Sequence, residues 1–137
     1  MELNYYSTFI QVADDCPVVS SVVPAERGGK KSIAVIQYEL LSEHPYEYTQ
    51  EDVLFETFAR HKAVPEADRS AQRAEFFSRS QACLRASPLP KSYGWGLHFD
   101  DEGKVALCPV ESEAYRRFVE QPTGGLKLLM AMRSRRV

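Results

Sequence analysis

The sequence predicts an α+β domain in which an antiparallel sheet of about four strands packs against three or four helices. Its 137 residues are enough for one hydrophobic core, and its hydrophobic fraction of 44% and charged fraction of 26% are typical of a globular chain. Segments with the two-residue alternation of strands occur both before and after segments with helical periodicity. This arrangement favours a single α+β domain over residues 1–137.

Two strands are predicted in the first third of the chain. Residues 5–12 alternate between two faces and are rich in β-branched and aromatic side chains, which indicates a first strand. Residues 32–41 show the clearest strand pattern, with one face formed by Ala34, Ile36, Tyr38 and Leu40. On the other face, Glu39 follows Gln37 at strand spacing, so Glu39 is a candidate acid or base at a cleft. The alternative is that this face is solvated.

Helical signals occupy the middle of the chain. Thr49 is placed as an N-cap with Asp52 at the capping-box position, which predicts a helix that runs to about His61. Pro65 suits the first turn of a second helix. The serines and prolines that follow predict that this helix ends somewhere in residues 77–87.

The turn that precedes the first of these helices carries chemically useful side chains. Residues 42–48 contain one imidazole, two carboxylates and two phenols. His44 and Glu47 therefore join Glu39 as candidate catalytic acids or bases. The sequence pattern does not distinguish an enzyme from a binding protein.

A hairpin and further helices are predicted in the last third. Residues 93–99 and 104–110 alternate as strands around the tight turn 100–103, which ends in a glycine. Ser112 is placed as the N-cap of a helix. Residues 126–136 also alternate, but they are strong helix formers without a β-branched residue, so a helix is predicted there.

The long polar connection of residues 78–92 is the predicted binding region, because long connections in compact domains are often functional. Arg85 and Lys91 would hold an anion, and Tyr93 and His98 would complete the site. The prediction is a small anionic or planar ligand bound in a pocket between the sheet and this segment. The alternative is that Arg85 and Lys91 are solvated loop charges and that His98 is a structural neighbour of the core.

Metal and cofactor signals are weak. The three histidines are far apart in the sequence, and Cys16, Cys83 and Cys108 have no paired spacing, so no metal site is predicted. The cysteines are expected to be reduced, mostly buried thiols. The glycines do not form a phosphate-binding loop before a helix, and no cofactor is predicted.

Charge is unevenly distributed and suggests a second class of function. The net charge is −2, but residues 1–56 carry −7 and residues 57–91 carry +4. A homodimer or another protein–protein interaction module without catalysis would bring such surfaces together, with Tyr46 and Tyr48 at the interface. Nucleic-acid binding is the weakest of these hypotheses, because the pI of 5.9 is well below that of a typical nucleic-acid-binding domain. It would use the basic residues near the C-terminus: Lys127, Arg133, Arg135 and Arg136.

No apolar run approaches the roughly 20 residues of a transmembrane helix. The N-terminal residues lack the basic and apolar regions of a secretory signal. A cytoplasmic location without membrane partners is therefore expected.

Three stretches carry a resemblance to a known family. They are residues 35–53, residues 81–88 with the sequence Gln-Ala-Cys-Leu-Arg-Ala-Ser-Pro, and residues 93–96 with the sequence Tyr-Gly-Trp-Gly. The chain resembles, over nearly its whole length, a family of small bacterial proteins known only as a domain of unknown function. The resemblance implies a bacterial cytosolic protein that stands alone as one domain, and it implies no activity, ligand or catalytic residue.

Overall fold

The computed structural model describes residues 2–135, so Met1, Arg136 and Val137 lie outside the described residues. Within them, four strands form one sheet in the order β3-β2-β1-β4. The strands are β1 Thr8–Gln11, β2 Trp95–Phe99, β3 Val105–Pro109 and β4 Lys127–Met130. The predicted α+β class is confirmed, and so are the first strand and the hairpin of β2 and β3.

The sheet is mixed, which corrects the prediction of an antiparallel sheet. β2 pairs antiparallel with both of its neighbours, and Leu97 lies opposite Ile10 of β1 and Leu107 of β3. β4 pairs parallel with β1, and Ile10 lies opposite Leu129 there. A strand that follows the rest of the sheet in sequence can add to either edge in either direction, so local patterns could not determine this pairing.

The segment predicted as a C-terminal helix forms β4 instead. Its backbone is held by β1 and by the loops beside it: the N–H of Lys127 donates to the carbonyl of Ser7 at 2.8 Å and that of Ala131 to Gln11 at 2.9 Å. The N–H of Met132 donates to the carbonyl of Arg85 at 2.9 Å. Since tertiary pairing satisfies the backbone, it overrides the intrinsic helix propensity of these residues.

Five α-helices are present in residues 2–135, more than the three or four predicted. They are α1 Ile33–Glu43, α2 Gln50–His61, α3 Arg69–Phe77, α4 Pro88–Ser92 and α5 Glu113–Glu120. Short 3-10 turns at Glu66–Asp68 and Leu84–Ala86 precede α3 and α4. The helix α2, which the structure describes as 12 residues long, is the longest, and none of the helices in the described range has the length and hydrophobicity of a membrane-spanning segment.

Helix α1 corrects the prediction of a strand at residues 32–41. Ser32 caps the helix by accepting a hydrogen bond from the N–H of Val35 at 3.3 Å. Buried residues lie on most of its circumference, so its apolar residues form a nearly continuous run without helical periodicity. In the helix Gln37 and Glu39 lie on nearly opposite sides, about 160° apart, and only Gln37 is buried.

Several local signals are confirmed. Thr49 and Asp52 form the predicted capping box, in which the hydroxyl of Thr49 accepts from the N–H of Asp52 at 3.2 Å. Helix α2 ends at His61 as predicted, and α3 ends at the start of the predicted range. Ser112 caps α5 through the N–H of Tyr115 at 3.1 Å.

The sheet divides the molecule into two unequal layers. Ile10, Leu97, Phe99 and Val105 face a core that is completed by α1, α2 and α4. The opposite face carries Phe9 and is covered in part by the short helix α5. The two sides of the sheet therefore provide two different environments for the candidate residues.

Candidate functional site

The predicted binding segment, residues 78–92, is partly folded into the core. Leu84 and Leu89 are 1% and 0% exposed, and they anchor the 3-10 turn and α4 against the helical side of the sheet. The Nε of Arg85 donates to the carbonyl of Met130 at 2.7 Å, so this guanidinium fixes the end of β4. Lys91 lies in the last turn of α4. Tyr93 follows that helix and packs against the same core.

The three candidate acids or bases separate into two places. Glu39 lies on α1 and pairs with the ammonium of Lys31 at 2.9 Å. His44 and Glu47 come together, with Nδ1 of the imidazole 3.1 Å from the carboxylate, and the imidazole packs edge-on against Tyr48. Both members of this pair are near solvent, so the arrangement is that of a surface ion pair.

His98 has the most distinctive environment among the predicted residues. It projects from β2 to the face that α5 covers, and its ring stacks on Phe118 with centroids 4.2 Å apart and planes at 20°. Its Nδ1 lies 2.8 Å from the phenolic oxygen of Tyr46. One face and one nitrogen of the imidazole are therefore occupied, which fixes the orientation of the ring.

The turn before α2 holds Tyr46 in place. Tyr46 has a left-handed backbone with φ of 58°, and its N–H donates to the carbonyl of Val105 at 3.0 Å. The N–H of Val105 in turn donates to the carbonyl of Tyr48 at 2.9 Å. The turn thus runs along the free edge of β3 and places the phenol of Tyr46 beside His98 of the neighbouring strand β2.

A surface depression of about 460 Å³ opens beside the imidazole. Helix α5 provides one wall, the segment after it provides the other, and His98 lies between them. The depression is lined by His98, Ala114, Arg117, Phe118, Gln121, Thr123 and Leu126. Its volume is within the range of pockets that hold small molecules.

The protonation states in this site follow from burial. Partial burial lowers the pKa of His98, an effect that the carboxylate of Asp100 opposes. Burial also raises the pKa of Tyr46. At neutral pH the site therefore presents an uncharged imidazole and a protonated phenol. The guanidinium of Arg117 supplies positive charge at the rim. Among the described residues, the only carboxylate within ion-pair distance of this guanidinium is that of Glu113, at 3.9 Å.

Thiol and metal chemistry have no comparable site. Burial raises the pKa of the Cys108 thiol, which keeps it protonated. Burial also raises the pKa of Tyr5, to about 12, with Cys83 beside it as a hydrogen-bond partner. Among residues 2–135, no group of three or more histidine, cysteine and acidic side chains is arranged to hold a metal ion.

Sequence reasoning named His98 but missed its partners Tyr46, Arg117 and Phe118. Tyr46 and His98 are 52 residues apart, and the bond between them depends on the turn pairing with β3. Phe118 lies on the helix predicted after Ser112, and nothing in its sequence position indicates a contact with His98. The available signal was Gly96, two residues before His98 on the same face of the strand, because a glycine there indicates that something approaches this face of β2 closely.

The fold and this site define a small α+β domain with an oriented, half-buried histidine beside a surface depression. The chain belongs to a family of unknown function (DUF6157), whose model matches residues 1–137. No curated protein and no solved structure shows a significant match to the chain.

Proposed function

We propose that this domain binds a small anionic molecule, most simply a carboxylate, in the depression beside His98. The observation that carries the proposal is the bond of 2.8 Å between Tyr46 and Nδ1 of His98, because it leaves the other ring nitrogen for a ligand. Within residues 2–135, that second nitrogen has no hydrogen-bond partner.

We assign the donor role in this bond to the phenol, which places the proton of the neutral imidazole on its other nitrogen. Tyr46 is protonated at neutral pH, and in the proposed arrangement its hydroxyl donates to Nδ1 of the neutral His98 across the 2.8 Å contact. The imidazole then carries its proton on Nε2, so that it presents a donor to the depression. A donor of this kind selects an acceptor such as a carboxylate or carbonyl oxygen.

Arg117 supplies the charge that favours an anion over a neutral acceptor. Its side chain is 71% exposed and lines the same depression as the imidazole. The 3.9 Å separation from Glu113 is long for an ion pair, so the guanidinium can turn toward a ligand. Together the two groups offer a neutral donor and a charged, fork-shaped donor to one anion.

The proposal keeps the anionic ligand and His98 of the sequence prediction and assigns them to the face covered by α5. Arg85, Lys91 and Tyr93 belong to the helical side of the sheet, and Arg85 serves to hold β4. The proposal is one of binding and assigns no catalytic step. The setting is the bacterial cytoplasm that the resemblance to the family implies.

The test is a thermal-shift screen of small mono- and dicarboxylates, followed by calorimetric titration of each carboxylate that raises the melting temperature. Arg117→Ala is expected to weaken binding about 10- to 100-fold, because a charge-assisted hydrogen bond contributes about 1.5–3 kcal/mol. His98→Gln is expected to weaken it as well.

Arg116→Ala is the matched control, since this neighbouring arginine of α5 pairs with Glu113 at 2.9 Å and does not line the depression. Equal affinity for the Arg117→Ala and wild-type proteins would contradict the proposal. So would a screen in which no carboxylate binds.

A second candidate function is a protein–protein interaction module, most simply a homodimer. The observation that favours it is a set of exposed valines in the loop before α1: Val19 is 92%, Val22 44% and Val23 57% exposed. Sedimentation at low and high salt tests it. A dimer that dissociates after Val19→Ser and Val23→Ser would support the module, and a monomer under all conditions would remove it.

A further inference from the structure

A second depression lies near the N-terminal end of α1, away from the turn that precedes α2, and its lining is mostly charged. Its volume is about 680 Å³, and it lies between the turn at residues 27–31 and the end of α2. It is lined by Glu26, Gly29, Lys30, Lys31, Ile36, Glu39, Arg60, His61 and Lys62. Four permanent cations and two carboxylates face this space, which gives a net charge of +2 before His61 is considered.

The cations come from two segments that the fold brings together. Gly28 and Gly29 both have left-handed backbones, with φ of 62° and 71°, and Arg27 bridges to Lys30 across them. This is the geometry of a two-residue hairpin turn, in which glycine is favoured at both central positions. The chain reverses within two residues and places Lys30 and Lys31 just before α1.

The second group of cations stands at the end of α2. Arg60 and His61 form its last turn and Lys62 caps it. Cations at this position complement the negative end of the helix dipole, and this effect accounts for the cations on α2. The helix dipole does not account for Lys30 and Lys31, which belong to another segment and lie across the same depression.

One of the three lysines is oriented by a carboxylate, and the other two are available to bind a ligand. Lys31 is held by Glu39 at 2.9 Å, and this carboxylate raises the pKa of Lys31. Lys30 and Lys62 form no ion pair with any carboxylate in the described part of the chain. Glu39, a candidate acid or base from its sequence position, thus serves to orient Lys31.

We infer that this depression binds a compact polyphosphate group, such as the diphosphate of a small metabolite. Several ammonium and guanidinium groups that converge on one space match the concentrated charge of such a group. A long nucleic acid is disfavoured, because its regularly spaced phosphates require a continuous basic surface, and Glu26 and Glu39 interrupt this one.

Calorimetric titration with inorganic pyrophosphate tests the inference on the full chain. The double variant Lys30→Ala/Lys62→Ala is expected to bind pyrophosphate at least 10-fold more weakly than the wild type. Glu26→Gln is expected to bind several-fold more tightly, because one negative charge at the rim is removed. Lys104→Ala, a lysine in the β2–β3 turn outside the depression, is the control and is expected to bind like the wild type.

The inference is independent of the carboxylate site, so Arg117→Ala is expected to leave pyrophosphate binding unchanged. Circular dichroism confirms that each variant is folded before titration. Absence of pyrophosphate binding by the folded wild type would overturn the inference, as would equal losses in the double variant and in Lys104→Ala. Binding of a single-stranded oligonucleotide without binding of pyrophosphate would overturn it in favour of nucleic acid.

Discussion

Replacement of Gly96 by alanine tests how tightly α5 is seated on the sheet beside His98. A Cβ at this position would lie 2.7 Å from Cζ of Phe9 and 2.8 Å from Cε2 of Tyr115. Ordinary carbon contacts are about 3.5–4.0 Å, so both rings would have to retreat by roughly 1 Å. Phe9 is fully buried and is held by Tyr115 and Phe118 at centroid distances of 5.0 and 4.8 Å.

The expected size of the effect combines two opposing contributions. Overpacking of a well-packed core lowers the free energy of unfolding by about 1–3 kcal/mol. Alanine in a strand recovers about 0.5–1 kcal/mol relative to glycine, because it restricts the unfolded chain. Both contacts are shorter than 3.0 Å, so the overpacking falls in the upper half of its range, and we expect Gly96→Ala to destabilise the protein by about 1–2 kcal/mol after the offset.

The assay is urea denaturation followed by circular dichroism, with an expected fall in the midpoint of about 0.5–1 M at an m value of about 2 kcal/mol/M. Phe9→Leu removes the Cζ atom that Gly96→Ala would meet, so the alanine should cost less in that background than in the wild type. A neutral or stabilising Gly96→Ala, or an identical cost in both backgrounds, would refute the packing described for this face.

Two further predictions concern stability. Gln50 is 1% exposed, its side-chain carbonyl accepts from the N–H of Leu84 at 2.8 Å, and its amide donates to the carbonyl of Leu3. Gln50→Leu should lower the free energy of unfolding by about 2–3 kcal/mol, measured in urea, and an unchanged midpoint would contradict the importance of these bonds. Ala63, with φ of 52°, occupies the left-handed position after α2 that glycine prefers, so Ala63→Gly should raise the melting temperature by a few degrees, corresponding to about 0.5–1 kcal/mol. A lower melting temperature would show that the left-handed backbone there is not strained.

Elements with local signals could be predicted from the sequence. The capping box of Thr49 and Asp52 and the Ser112 cap each depend on residues within one helical turn. The turn at residues 100–103 likewise fixes the hairpin of β2 and β3 through its own backbone. These contacts form wherever the segment is placed, so the sequence pattern was sufficient.

Elements whose state depends on distant partners could not be predicted in the same way. Helix α1 is buried over most of its surface, and even Gln37 is internal, where it accepts from the hydroxyl of Ser87 at 2.6 Å. This burial removes the polar face that would have revealed helical periodicity. Strand β4 pairs with β1, which lies more than 110 residues earlier in the chain, and no local pattern encodes that choice.

The candidate site shows the same division. His98 could be singled out because it shares one face of the predicted strand 93–99 with two glycines, Gly94 and Gly96. Its partner Tyr46 approaches only because the turn before α2 pairs with the edge of β3. Arg117 and Phe118 belong to a helix whose position over the sheet is a property of the tertiary structure.

The state of the His98 imidazole is the most direct test of the proposed function. Long-range proton–nitrogen NMR spectra of the protein, recorded across pH 4–8, report both the tautomer and the pKa of each histidine. The account predicts a pKa below the ordinary value of about 6.5 and a proton on Nε2 in the neutral ring, a preference that Tyr46→Phe should abolish.

The lowered pKa of His98 also determines how the free energy of unfolding changes with pH. The unfolded chain binds the proton more readily than the folded chain, so His98 should reduce the free energy of unfolding as the pH falls below about 6.5. A wild-type His98 that titrates at or above its ordinary pKa, or that carries its proton on Nδ1 when neutral, would contradict the proposed donor at the depression. A low pKa with the proton on Nε2 is the result that the proposal requires.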